Sequence, residues 1–437
     1  LDGRGALMLF HVVNLGCKVN KVESDSYAAQ CLSAGLAEGS LEAADLIVIN
    51  TCAVTGEAEK KTRKTVRHVC NKNDHAKVLV TGCSAALHAD IYQEMSPRIV
   101  VLGKAFTAEY LSDLLRSDSE NKNGSLQEDA QSAVAVPVLP VGEGFRTRVG
   151  IKVQDGCNNE CTYCIVHVAR GKATSRPTQE IIDEVRAYSA LGVKELVLTG
   201  INLGSYHQIY QGKPIDLAGL LTLLLQESEN VECTQMNAQC GNAELAPAPR
   251  FRIGSVEPMD VTDELIDVMA RANGRICRHL HLPLQSGSTD ILAEMNRPYT
   301  ASDFLGLVDK LRASIPSISL STDIIVGFPG ETDNDFLQTC SVAQTCCFSK
   351  IHVFPYSKRE GTPAARRADQ IAPSIKTERA ARLRNLGDKL AHSDFESRSG
   401  STEWALVESN GTAMTESYYS VSCDKAWKPG LLIPFLF

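Results

Sequence analysis

At 437 residues, 43% of them hydrophobic, the chain is long enough for two or three domains with real cores. No run of eighteen apolar residues occurs and the first ten residues lack the layout of a secretory signal, so no membrane span and a cytoplasmic location are expected. A formal net charge of −8 argues against a generally nucleic-acid-binding surface, and fifteen scattered cysteines do not form a secreted disulfide framework, so metal or redox use is expected for some of them.

Residues 1–115 are expected to form an N-terminal α/β domain. Four apolar runs, LFHVVNLGC, ADLIVINTC, AKVLVTGC and RIVVLG, alternate with helix-like segments, the pattern of a parallel sheet covered by helices. The first three runs each end in a cysteine: Cys17, Cys52 and Cys83. In an open parallel sheet the carboxyl ends of the strands share one edge, where ligands bind, so these distant thiols can meet. Three unrelated buried thiols would be the bland reading; the repeated strand–turn–Cys arrangement favours a joint site.

Residues 116–145 are polar, then rich in Ala, Val, Pro and Gly, and read as a linker. A second βα series fills residues 146–392. Its six strand candidates are RVGIKVQDG, ELVLTGIN, RFRIGSVEP, HLHLPLQS, ISLSTDIIVGFPG and KIHVFPYS. Six units are too few to close an eight-stranded barrel, so an open, incomplete (β/α)6 barrel is expected, with its active face at the strand carboxyl ends. Residues 226–250 read as an irregular insertion with no functional signal. Residues 393–437 carry three short strand candidates, STEWALVES, ESYYSVSC and GLLIPFLF, separated by turns, enough for a small β-barrel or partial barrel.

Just after the first strand of the second series, QDGCNNECTYCIV places Cys157, Cys161 and Cys164 within eight residues. Structural zinc and ordinary iron–sulfur clusters want four ligands, and the nearest further candidate is His167. A four-iron cluster on three cysteines leaves one iron open to a small molecule. Zinc with water in the fourth position is the alternative, but this spacing is poor for zinc. Tyr163, inside the motif, reads as packing.

This motif resembles that of the radical S-adenosylmethionine (SAM) enzymes. The two triads together, with LGCKVN, INTCAVT, VTGC, LTGINLGSY, RIGSVEP, RHLHLPLQSGS, TDIIVGFPGET and VFPYSKREGTPAA, resemble the radical SAM methylthiotransferases over nearly the whole chain. The resemblance implies two [4Fe-4S] clusters. Cys157, Cys161 and Cys164 would hold the one that binds SAM and cleaves it to a 5′-deoxyadenosyl radical. Cys17, Cys52 and Cys83 would hold the second, which presents a sulfur species to the substrate carbon.

The implied candidates for contacts to SAM are Gly200, Asn202, Ser255, Glu257, Gln285 and Asp323, at or near the strand ends. LGCKVN and HVFPYSKREGTPAARR resemble the branch that converts N6-threonylcarbamoyladenosine at position 37 of tRNA to its 2-methylthio derivative. The implied partners are tRNA and a low-potential electron donor of flavodoxin or ferredoxin type. Isopentenyladenosine tRNA or a ribosomal-protein aspartate are the alternative substrates, and a non-catalytic zinc-holding RNA-binding protein is the alternative of another class.

The chain departs from the family at His167 and Val168, where Pro and Tyr are common. Its C-terminal segment resembles the small RNA-binding TRAM barrel, yet it carries three Lys/Arg against six Asp/Glu. Two basic runs could contact phosphate. Residues 58–77 hold seven Lys/Arg against two acidic residues, and residues 356–392 hold nine against four. Arg359, in the second run, is the candidate for meeting the anionic threonylcarbamoyl group, with a phosphate contact as the alternative.

Overall fold

The computed structural model describes residues 8–120, 147–229, 248–409 and 411–437. These divide into two compact units: one holds the described residues up to 120 together with Ile165–Gly171, the other holds the remainder.

The first unit is a parallel sheet with helices packed on it. In chain order it comprises β1 (Leu9–Asn14), α1 (Lys18–Ser33), β2 (Ala37–Glu38), β3 (Leu46–Thr51), α2 (Gly56–Lys72), β4 (Lys77–Gly82), α3 (Cys83–Leu87), α4 (Ala89–Gln93), β5 (Ile99–Val101) and α5 (Lys104–Glu120). The strand order is β2-β1-β3-β4-β5, and every pairing is parallel. Central β3 is buried along its whole length, as its unbroken apolar run requires for a strand covered on both faces. One core, around Ile47, Ile49, Val78 and Val80, takes Val66 and Val69 from α2; the other, around Leu46, Val48 and Leu79, takes Tyr27 and Cys31 from α1. Thr55 caps α2 by accepting from the Ala58 amide. The four sequence runs are thus β1, β3, β4 and β5; two-residue β2 was too short to leave a periodic signal. Helix α5 extends into the start of the segment read as a linker, and residues 121–146 of that segment lie outside the described residues.

The second unit begins with β6 (Arg148–Lys152) and β7 (Gln154–Asp155). Helix α6 (Val166–Arg170), which belongs to the first unit, follows in the chain. Next come β8 (Thr174–Ser175), α7 (Thr178–Ala190), β9 (Glu195–Thr199), the hairpin β10 (Gln208–Tyr210) and β11 (Lys213–Ile215), and α8 (Leu217–Glu227). After the insertion, of which 230–247 lie outside the described residues, come β12 (Arg250–Ile253), α9 (Asp263–Arg271), β13 (His279–His281), α10 (Thr289–Glu294) and α11 (Ala301–Ser314). Then follow β14 (Ser319–Val326), α12 (Asp333–Cys346), β15 (Lys350–Pro355) and α13 (Pro373–Ser397).

Six parallel strands stand in sequence order. β6, β9 and β12 form one ladder and β13, β14 and β15 another, joined by single bridges at Phe251–Ile276 and Ser255–His281. No pairing links β6 to β15 among the described residues, so the barrel is open between its first and sixth strands. Four of the helices, α9 to α12, start on polar caps: Thr262, Ser288, Thr300 and Thr332 each accept from an amide of the first turn, the last two in full capping boxes.

The chain ends in a four-stranded antiparallel sheet of β16 (Thr402–Val407), β17 (Thr412–Thr415), β18 (Ser420–Ser422) and β19 (Leu432–Leu436), in the order β18-β17-β16-β19. Sequence reading placed three strands here and missed β17. It also extended β18 back over Glu416–Tyr419, where Tyr418 takes φ +71 and the chain turns. Polar residues at the lower ends of the barrel strands fasten this sheet. Glu195 opens β9 and is fully buried between Arg250 and Arg252 of β12. Those guanidinia in turn donate to the carbonyls of Trp404, Met414, Thr415 and Glu416 at 2.7–3.0 Å. The small sheet therefore packs against the amino ends of the strands, opposite the end where barrel sites are built.

Candidate functional site

In the first unit, Cys17, Cys52 and Cys83 follow β1, β3 and β4, three neighbours in the sheet. Cys17 is the N-cap of α1, Cys52 directly follows β3, and Cys83 opens α3. Their mutual proximity is registered electrostatically: burial pushes the Cys52 thiol up, Cys17 and Cys83 push it further, and Arg170 pulls it down. Gly82 makes the turn into Cys83 at φ +98, and a Cβ there would lie 2.5 Å from the backbone of Thr51.

A buried polar network lies behind these thiols. Asn20 Nδ2 donates to Asn50 Oδ1 and to the Thr51 carbonyl, both at 2.8 Å, and Asn50 Nδ2 returns a bond to the Asn20 carbonyl at 2.9 Å. Glu23 accepts from Lys104 Nζ at 2.7 Å and from Arg170 at 3.2 Å. Arg170, on α6, also donates to Asn20 Oδ1 at 2.8 Å and through Nε to Cys83 Sγ at 3.3 Å. His167 is on the same helix.

In the second unit, Cys157, Cys161 and Cys164 sit on the loop after β7. The Asn159 amide donates to Cys157 Sγ at 3.4 Å, and Arg297 Nη1 donates to Cys161 Sγ at 3.1 Å. Arg297 is also paired with Glu257, while its Nε reaches the Tyr299 hydroxyl at 3.2 Å. Burial pushes the Glu257 carboxyl up from its ordinary range against the opposing pull of Arg297. Tyr163 packs against Ile291, Met295, Phe328, Tyr356 and Ala364, the packing role expected from the sequence.

The other strand-end candidates divide. Asn202 caps the following turn through Oδ1 and donates to Asp260 at 2.8 Å, so its side chain is engaged in holding the loop. Gly200 is a close-packing residue: a Cβ there would stand 2.9 Å from Gln154 Oε1, which accepts from the amides of Ile201 and Asn202. Ser255 bridges to His281 by backbone. Gln285, at φ +64, pairs by backbone with Asp323 and Ile325 at 2.9 Å each.

Asp323 joins a cluster that sequence reasoning did not assemble. Asp323 and His352 are register partners on β14 and β15, and His281 pairs with Ser321 two residues before Asp323. All three side chains therefore share one face of the sheet. The opposite face packs on α13, where Ile351 covers Gly387. His281 Nε2 lies 3.4 Å from Asp323 Oδ1, and its Nδ1 lies 3.0 Å from Ser321 Oγ. One ligating atom from each of His281, Asp323 and His352 lies within 4.8 Å of the others. Glu257 feels His281 electrostatically, so polar groups continue from the cysteine loop along the inner wall.

Arg170, Arg297, His281 and His352 were missed for different reasons. The arginines contact cysteines across 87 and 136 positions, and no local pattern marks them. The histidines did leave a signal: each is a polar residue inside a strand run.

The donor set of each triad, three thiols with N–H groups aimed at sulfur, suits a thiolate-held cluster with an open corner. The basic runs separate too. On α2, Lys60, Lys61, Lys64, Arg67 and Lys72 are exposed together. In the second run, Arg379 is buried against Glu331 and Asp333, Arg367 pairs with Glu294 and Asp369, and Arg359 is only 7% exposed.

Residues 151–343 match the model of the Radical SAM superfamily, and residues 9–103 match Uncharacterized protein family UPF0004. The chain is 37% identical over 392 residues to "Threonylcarbamoyladenosine tRNA methylthiotransferase MtaB" of Bacillus subtilis (strain 168), covering 88% of this chain and 81% of that protein. It is 39% identical to the protein of the same name from Thermotoga maritima, covering 84% and 79%. It is also 35% identical to "tRNA-2-methylthio-N(6)-dimethylallyladenosine synthase" of Lachnoclostridium phytofermentans, covering 87% and 80%. Among solved structures, the radical S-adenosylmethionine methyltransferase TsrM from Kitasatospora setae shares the fold at 15% identity, with a TM-score of 0.53 over 82% of this chain and 75% of that one.

Proposed function

The chain belongs to the radical SAM methylthiotransferases, a family of enzymes, and from that premise we propose that it methylthiolates N6-threonylcarbamoyladenosine in tRNA. Membership of an enzyme family removes the reading of a non-catalytic zinc-holding protein. A radical SAM domain works with SAM and a [4Fe-4S] cluster, which together supply a 5′-deoxyadenosyl radical able to take hydrogen from an unactivated carbon.

In our reading Cys157, Cys161 and Cys164 hold that cluster, with Arg297 and Glu257 orienting the site around Cys161. Cys17, Cys52 and Cys83 hold a second [4Fe-4S] cluster on which the sulfur to be inserted is carried. A low-potential flavodoxin or ferredoxin supplies electrons, and the tRNA substrate implies work in the cytoplasm.

The observation that carries the substrate assignment is the polar inner wall. His281, Asp323 and His352 offer donors and an acceptor to a hydrogen-bonding substituent. The threonylcarbamoyl group has a carboxylate, a hydroxyl and urea N–H groups to meet them. An isopentenyl group offers this wall no hydrogen bond in return, and a polar mismatch of that kind is worth up to ~10⁴-fold in discrimination. Relatives named for each substrate exist at similar identity, so the inner wall is the better argument. The reconstituted enzyme, given tRNA of each kind side by side, should methylthiolate the threonylcarbamoyl form and little of the isopentenyl form. Preference for the isopentenyl form would overturn the assignment.

A further inference from the structure

Within the first unit, Arg170 is enclosed and held from two sides. Its side chain is 1% exposed. Two arms of the guanidinium are fixed, one by Glu23 and one by Asn20, and Asn20 is itself locked to Asn50 and Thr51. The N–H on Nε points at Cys83 Sγ from 3.3 Å. A planar fork pinned through both terminal nitrogens cannot turn its Nε donor away, which a flexible lysine ammonium could do.

The second unit repeats the device with unrelated residues. There Arg297 is 2% exposed on its side chain, is held by Glu257, and donates to Cys161 Sγ. In each unit a buried arginine, anchored by a glutamate, is aimed at one sulfur of a cysteine triad. Two independent occurrences point to a shared requirement of the triads, beyond local packing.

We propose that Arg170 is a positioning residue and fixed counter-charge for the N-terminal cysteine site, raising the reduction potential of the iron–sulfur cluster held there. This rests on the reading of Cys17, Cys52 and Cys83 as cluster ligands. An N–H donor on a ligating sulfur and a buried cation beside it both favour the more negative, reduced state of a cluster. Because the field is fixed, no reorganisation is needed when the electron arrives. Glu23 acts with the opposite sign, so the pair sets the potential between two limits.

The test uses the full chain with Cys157, Cys161 and Cys164 replaced by Ala, reconstituted anaerobically so that only the N-terminal site can take a cluster. Iron content, electron paramagnetic resonance and a spectroscopic redox titration are then measured for this background, Arg170→Met, Arg170→Lys and Glu23→Gln. Arg170→Met should move the midpoint to more negative values. Arg170→Lys should restore part of the shift, and Glu23→Gln should move it the other way. A midpoint unmoved by Arg170→Met at full iron content would overturn the proposal, as would shifts of the same sign for Arg170→Met and Glu23→Gln. Iron lost equally from both arginine variants, with the Glu23→Gln midpoint unmoved, also counts against it. Absence of iron from the parent background would instead refute the cluster reading on which it rests.

Discussion

Arg297 joins Cys161 and Glu257 through one guanidinium, although 136 and 40 residues separate it from them. Its removal would leave the half-buried Glu257 carboxylate without its cation and one sulfur without its donor. Partners of this kind, which orient a ligand without themselves binding, typically contribute about ten- to a hundredfold in activity or affinity. Arg297→Met should therefore lower SAM-dependent formation of 5′-deoxyadenosine by about that factor. Arg297→Lys should recover little, since one ammonium cannot serve both partners in the same geometry. Single-turnover assays at saturating SAM would decide it, and normal rates in both variants would show that the pairing has no part in SAM cleavage. Asn202 and Gly200 illustrate the converse. At a strand end, where contact with SAM is expected, Asn202 also caps a turn and Gly200 makes room for Gln154. A strand-end position is readable from sequence; the partner of the side chain is not.

Among the elements, the join between the barrel and the last sheet is the most strongly charged. Glu195 is buried among Arg148, Arg250 and Arg252, and although burial alone would raise its pKa, the arginines hold it down at about 2. A carboxylate held below its ordinary value near 4.3 adds stability that is fully present above that value and is lost as pH falls towards about 2. The native chain should thus lose melting temperature more steeply than Glu195→Gln between about pH 5 and pH 2. At neutral pH the same variant leaves two guanidinia uncompensated in the interior, a cost of roughly 3–5 kcal/mol. Thermal denaturation of both proteins across this range is the measurement, and parallel pH profiles would show that the cluster is not a net contributor. The elements themselves were largely legible. The apolar runs of the parallel sheets, buried on both faces, and the Ser/Thr caps that start the helices are local signals. β17 was missed because four residues, TAMT, have neither length nor alternation enough to register.

For the molecule as a whole, a net charge of −8 has to coexist with a polyanionic substrate. The exposed face of α2 offers Lys60, Lys61, Lys64, Arg67 and Lys72, whereas several arginines of the second basic run are committed to internal ion pairs. Replacing Lys60, Lys61 and Lys64 by Ala should weaken tRNA binding and flatten the dependence of log K on log salt, by roughly one unit for each phosphate that is no longer neutralised. Binding isotherms at several salt concentrations test this, and an unchanged slope would assign RNA binding to another surface. Composition and pattern alone determined much here. Strand runs ending in Cys17, Cys52 and Cys83, and a second triad after the first strand of a six-unit series, are periodic or closely spaced features that need no partner to be recognised. Only the tertiary structure decided what surrounds those sulfurs. Arg170 on Cys83, Arg297 on Cys161, and His281 with Asp323 and His352 are pairings between residues far apart in the chain. The physical reason is that hydrogen bonds and charge pairs depend on distance in space. Sequence reports such distance only where the chain repeats itself within a turn of helix or a step of strand.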